Sequence, residues 1–167
     1  MQVSEIAKDQ TIIVPRKESY SLEMCFIKCN NVYLQSIYFA VLKITSELIM
    51  RIHREAIDGG KEEEQSLRDA IRDEGCIQSI CYGDDFEDPF KRASYFLHRI
   101  ATRHPFFEGN KRTAFLVAAI IINFDTEYII ENDNGENDRF VRAVASNLVE
   151  EEEIKKWLKD HVIRSEI

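Results

Sequence analysis

Ala114-Phe-Leu-Val-Ala-Ala-Ile-Ile-Ile-Asn-Phe124 is the longest apolar stretch of the chain, broken only by Asn123. It is too short to cross a bilayer, and its length and composition fit a helix at the centre of a domain. The sequence has 167 residues, of which 44% are hydrophobic, with only 3 prolines and 6 glycines. Such a chain is too apolar for disorder and too poor in turn residues for a many-stranded sandwich. One domain built around one buried helix is the expectation.

Outward from that helix, the pattern remains helical. On its N-terminal side, Asp88-Pro89 reads as an N-cap followed by proline in the first turn. Phe90, Ala93, Phe96, Leu97 and Ile100 then share one face of a helix ending near Arg103. His104 to Glu108 is a loop, and Gly109 opens the central helix, which runs to about Phe124. Further upstream, helical periodicity predicts a long helix from Tyr33 to about Ile57, stopped by Asp58-Gly59-Gly60. A second is predicted from about Leu67 to Cys81, weakened at Gly75, followed by the turn-rich Tyr82 to Asp88. Downstream, Asp125 to Glu131 reads as a short extended segment. Helices over Glu136 to Ala145 and Glu150 to about Val162 follow, with Trp157 and Leu158 closing the core. Residues 1–32 read as an N-terminal extension, with Thr11-Ile-Ile-Val14 a short strand or a tail, and 33–167 as a helical domain. The fold class expected is all-α, with room for a short β element.

The formal net charge is −8, which argues against broad contact with nucleic acid. A local basic pocket for one nucleotide remains compatible with it. Cys25, Cys29, Cys76 and Cys81 lack the two-residue spacing of zinc knuckles, and no histidine pair completes a set. They read as free thiols, and with no N-terminal signal segment the expectation is a reducing cytoplasm and no membrane anchor.

The chemistry concentrates in His104-Pro-Phe-Phe-Glu-Gly-Asn-Lys-Arg112. The His104 imidazole can take a proton near neutral pH, as a general base on a hydroxyl must. On its own such a histidine is more often structural. Glu108 offers a hard oxygen ligand for magnesium, which needs only one or two carboxylates; it could also simply complement a helix dipole. Gly109-Asn110-Lys111-Arg112 combines close backbone approach, helix-start amides, side-chain donors and two cations, together an anion cradle. Two adjacent cations at the positive end of a helix are unfavourable without an anion. The stretch is not a Walker A loop, because asparagine stands before the lysine where that loop needs glycine. A base, a metal ligand and a phosphate clamp in one loop suit phosphoryl or nucleotidyl transfer, which needs positioning and electrostatics more than covalent chemistry. A hydrolytic metal site on His104 and Glu108 fits poorly, since no second histidine stands at ligand spacing.

The same residues resemble the signature of the Fic/Doc family, His-x-Phe-x-Asp/Glu-Gly-Asn-Gly-Arg. Weaker similarity extends over about residues 45–163, through Arg72-Asp-Glu-Gly75, Asn132 to Val141, Val144-Ala-Ser146 and Trp157-Leu158. The resemblance implies a compact helical bundle, His104 as base, Phe106 as core anchor, Glu108 as the magnesium ligand, and Gly109, Asn110 and Arg112 on the nucleotide phosphates of ATP. Lys111 replaces the glycine of adenylylating members and Phe115 their second arginine, as in the Doc branch, where γ-phosphate transfer is expected. The expected activity is therefore a toxin-like protein kinase acting on a Ser/Thr hydroxyl. AMP transfer and a non-catalytic helical interaction module are the alternatives. No clean copy of the family's inhibitory Ser/Thr-x-x-x-Glu-Gly/Asn helix occurs. Ser19 and Glu23 precede Met24, and Ser146 and Glu150 precede Glu151. Restraint would then fall to a separate antitoxin-like partner, and the protein substrate would be a translation factor.

Overall fold

The computed structural model describes residues 42–58, 70–131 and 135–165. Among these, six helices and two short strands follow in order: α1 (Ser46–Asp58), α2 (Glu74–Tyr82), α3 (Pro89–Arg103), α4 (Asn110–Asp125), β1 (Tyr128–Ile130), α5 (Glu136–Ala145), α6 (Glu151–Asp160) and β2 (Val162–Arg164). The architecture is mostly helical, with one small antiparallel sheet. The calls on 1–32, the first part of the helix from Tyr33, the stop at Gly59-Gly60, the start of the helix from Leu67, and Cys25 and Cys29 lie outside the described residues.

Helix α4 is the axis of the domain. Ala114, Val117, Ala118, Ile121 and Ile122 are all fully buried, so the helix is surrounded by neighbours, as a helix apolar on every side must be. It packs most extensively on α3, and α1 also lies against it. Helix α3 starts as its sequence suggests: the Asp88 carboxylate accepts from the amides of Phe90 and Lys91 at 2.9 and 3.3 Å, with Pro89 in the first turn. Ala93, Phe96, Leu97 and Ile100 then point inward with no exposed surface. Each large apolar side chain buried this way contributes about 1.5–3 kcal/mol.

Helix α6 packs on the outer side of α3. Its start is a capping box: Glu150 accepts from the third helical amide, while Glu153 accepts from the Glu150 amide at 2.9 Å. Leu158 is fully buried. Trp157 stacks between Phe140, 4.0 Å away by ring centroids, and His161 at 4.2 Å. Helix α5 spans Glu136–Ala145, as its pattern indicates.

Three boundaries differ from the sequence reading. The helix expected from Tyr33 is not continuous through 42–45; α1 begins at Ser46. The Leu42 amide donates to Asp125 Oδ1 at 3.3 Å and its carbonyl accepts from Arg92 at 2.5 Å. Thr45 Oγ1 accepts from the Leu48 amide at 3.2 Å. Distant partners and a threonine cap hold groups that a helix would have needed. In the second helix, α2 starts only at Glu74, because Asp73 caps it by accepting from the Cys76 amide at 2.8 Å. The last helix stops at Asp160 rather than Val162. Val162–Arg164 forms β2 and pairs with β1, placing Tyr128 opposite Arg164 and Ile130 opposite Val162. That pairing ties the end of α4 to the end of α6.

Arg92, only 2% exposed, fastens the far end of the bundle. It forms a two-point ion pair with Asp84 and a second pair with Asp125 at 2.9 Å, besides taking the Leu42 carbonyl. A buried arginine survives only when its donors are spent in this way. Cys76 and Cys81 are free thiols. Burial, with help from Asp84 and Glu47, pushes the Cys81 thiol up to about 11. Among the described residues, no helix is long and apolar enough to cross a membrane.

Candidate active site

The motif loop links the two helices at the centre of the fold, and its geometry is built from backbone outward. Helix α3 ends at Arg103, and the next residue, His104, has a φ of 48° and ψ of 59° in the left-handed region. Histidine is one of the few non-glycine residues that visits it with some frequency. The chain turns sharply there. The Pro105 carbonyl accepts from the amides of Arg72 and Asp73 at 2.8 and 3.0 Å, and Arg72 Nη1 reaches the His104 carbonyl at 3.5 Å. Ile71 and Phe106 form an isolated antiparallel bridge. The Arg72-Asp73 element is therefore the strut behind the loop.

Phe106 is 1% exposed and stacks flat on His53 of α1, with ring centroids 3.7 Å apart and planes within 5°. His53 in turn shares a hydrogen bond of 3.0 Å between Nδ1 and Thr113 Oγ1 of α4. Sequence reasoning missed His53. The signal available was a polar residue on the apolar stripe of Ile49, Ile52 and Ala56, which marks a buried partner but not its identity.

The cradle residues divide by what they touch. Asn110 is 8% exposed and clamps the loop: its Oδ1 accepts from the Phe106 amide at 2.9 Å, and its Nδ2 donates to the Phe106 carbonyl at 2.8 Å. Gly109 has a φ of 73°, and no side chain caps the helix start after it. A Cβ on Gly109 would stand 2.7 Å from Ile57 Cδ1 and 3.2 Å from His53 Cε1, so close packing against α1 also demands glycine. Arg112 donates to the Ala56 carbonyl in the last turn of α1 at 2.9 Å, where a cation complements the helix dipole. Lys111 is partly exposed, and Phe107 and Glu108 are exposed at the loop tip.

An open cleft of about 400 Å³ lies beside the loop, lined by His104 and Lys111 together with Arg142, Ala145 and Ser146 from the end of α5. The structure thus brings the candidate base and one candidate phosphate ligand to a common space. Asn110 and Arg112 sit behind it with their side chains engaged to the scaffold, and Glu108 stands at the loop tip. Arg142 was not identified from sequence, since it lies thirty residues beyond the motif with only an i,i+4 partner, Asp138, to suggest a role. Chemically, an imidazole and cations around open space at a helix start can hold an anion and take a proton from a hydroxyl beside it.

Residues 43–122 match the Fic/DOC family model. The similarity covers just under half of the chain; it is to a family whose members are typically transferases, and it does not distinguish a Doc-type branch. No curated protein matches the chain. Ser146 caps the end of α5 and Glu150 the start of α6. The imperfect copy of the inhibitory pattern at 146–150 therefore falls on a turn between helices and not on a helix of its own.

Proposed function

We propose that this chain is a protein kinase of the Doc type, moving the γ-phosphate of ATP onto a Ser/Thr hydroxyl of a target protein. The observation that carries the reading is the cleft where His104 and Lys111 meet beside the start of α4. In this reading the triphosphate lies along the cleft, attracted by Lys111 and the first-turn amides of α4. His104 takes the proton of the acceptor hydroxyl, whose oxygen attacks the γ-phosphorus. The bond from that phosphorus to the β,γ-bridging oxygen breaks, and ADP leaves. Phe106, Asn110 and the Arg72 strut hold the His104 backbone in its left-handed turn, so the imidazole need not be ordered anew at each turnover.

Magnesium is the expected cofactor. Glu108 is an exposed carboxylate in the loop itself, and magnesium is ordinarily content with one or two carboxylates plus phosphate oxygens, so the residue fits. Bound there, the ion would neutralise charge developing on the phosphates. Lys111 supports γ- over α-phosphate transfer: a side chain where adenylylating relatives have glycine occupies room for one phosphate and adds charge for another.

The test uses purified protein, magnesium and ATP labelled at either the α or γ position, with a lysate as source of targets. Labelling of a protein from the γ position, abolished by His104→Ala, is the expected result. Label from the α position would replace the kinase reading with adenylyl transfer. A folded protein that transfers neither label would leave the non-catalytic module standing. A translation factor as target, an antitoxin-like partner and a cytoplasmic setting belong to the same proposal.

A further inference from the structure

We propose that Arg142, in the last turn of α5, is a second phosphate-binding cation in the cleft that Lys111 and His104 also line. The inference rests on the reading of the cleft as a nucleotide site and adds a wall to it that the motif does not contain. Arg142 and Ser146 come from a helix remote in sequence, yet both line the same space as His104 and Lys111.

The local bonding favours this role. Arg142 donates through Nε to Asp138 Oδ2 at 2.7 Å, one helical turn back. Among the described residues, its two Nη groups make no bond. Asp138 meets the guanidinium at its Nε edge and leaves the terminal edge for a ligand. That fork matches two oxygens of a phosphate. The pair with Asp138 is open to solvent, with the two side chains 62% and 60% exposed. An exposed pair of this kind is weak and does not compete strongly with a multiply charged anion.

The end of α5 would otherwise be a poor wall for an anion, because helix C-termini present carbonyl oxygens. Here the carbonyls of Arg142, Ala143 and Val144 accept from the amides of Ser146, Leu148 and Asn147 at 3.0, 3.1 and 2.8 Å. The turn is closed on itself, and Arg142 adds positive charge at its end. The Ser146 hydroxyl supplies a further donor on the same wall. The ligand chemistry that suits two cations lining one open cleft is a polyphosphate chain, with the nucleoside extending beyond it.

Calorimetric titration of the full chain tests this with magnesium-ATP, inorganic tripolyphosphate and adenosine as probes. Arg142→Gln should weaken ATP and tripolyphosphate binding about tenfold, as loss of a charge-assisted contact does, and leave adenosine within about twofold. Arg142→Lys should recover part of the loss, and the salt dependence of tripolyphosphate binding should flatten in the Gln variant. The side chain is exposed, so an unchanged melting temperature separates these effects from folding. Tripolyphosphate binding equal to wild type in Arg142→Gln overturns the proposal, whatever the transfer assay gives; so does a wild type that binds no tripolyphosphate. Arg142-dependent binding in a protein that transfers no label would uphold this inference and sink the kinase reading alone.

Discussion

Replacing Asn110 with alanine isolates what the clamp on the motif loop is worth. The amide side chain satisfies both backbone groups of Phe106, at 2.9 and 2.8 Å, in a residue that is 1% exposed. Alanine would leave a buried N–H and a buried C=O bare, each costing about 1–3 kcal/mol. Asn110 itself is 8% exposed, so water can reach part of the vacated space. The expected loss is therefore about 2–4 kcal/mol. For a chain of this size that corresponds to a fall of about 4–16 °C in melting temperature. Urea denaturation gives the free energy, and hydrogen exchange at the Phe106 amide locates it: protection there should collapse while that of Ile121 falls only by the global change. Asn110→Asp sharpens the case. One oxygen can still accept from the Phe106 amide, but the other faces the Phe106 carbonyl, which raises the folded-state pKa of the new carboxyl. Its stability deficit should stand above that pKa and shrink as pH falls through it, when the protonated oxygen can donate. If Asn110→Ala lost phosphate binding with stability and Phe106 protection unchanged, the clamp would be incidental and the side chain would be a ligand contact.

Gly109→Ala should destabilise by about 2–4 kcal/mol, from the left-handed backbone plus the clash with Ile57 Cδ1. Ile57→Val removes that carbon, so the double variant should recover the steric part, visible as coupling in a double-mutant cycle by urea denaturation; strict additivity would contradict the packing. Arg92→Leu strands Asp84 and Asp125, whose side chains are 12% and 8% exposed, and should cost about 3–5 kcal/mol, read from the urea midpoint. A loss below about 1 kcal/mol would mean the network relaxes into solvent. Burial pulls the Asp88 carboxyl upward, but the hydrogen bond from Lys155 and the amides of Phe90 and Lys91 hold it below its ordinary value. A depressed carboxylate stabilises above its unfolded value of roughly 3.9 and loses that contribution as pH falls through the lower folded value. Asp88→Asn should therefore flatten the loss of stability below about pH 4; an unchanged acid slope by urea titration would refute the assignment.

The elements with a local cause were legible in the sequence. Asp88-Pro89 starts α3 because the cap and the fixed φ act within one turn, and α4 is central because no face of it can be left in water. The elements that differ are those decided by distant partners. Leu42 to Thr45 carries no signal that Arg92 and Asp125, fifty and eighty residues on, will take its backbone groups. Val162-Ile-Arg164 continues a plausible helical period, and only β1 alongside it makes a strand of it. Arg92 is the same lesson in reverse: a cation on the face of Ala93, Phe96 and Ile100 announces a buried counter-charge without saying that Asp84 and Asp125 supply it.

The motif loop shows how one short sequence serves two ends. Read alone, Gly109-Asn110-Lys111-Arg112 is a row of potential anion donors. In three dimensions Asn110 grips the loop that carries His104, Gly109 makes room for α1, and Arg112 caps it. Lys111 and His104 line the cleft, and Glu108 is exposed at the loop tip. Burial sets Asn110 apart, whereas Arg112 and Lys111 are both partly exposed and differ in that Arg112 bonds the Ala56 carbonyl. A polar side chain held among apolar neighbours must have its bonds satisfied before any ligand arrives, so positioning the loop is the role its bonds give it. A side chain at the surface loses little by waiting in water and can exchange that water for a ligand. On this argument the loss of function from Asn110→Ala should track the disorder of the loop, whereas that from Lys111→Ala should appear in a protein as stable as wild type. An equal loss of stability in the two variants would dissolve the distinction.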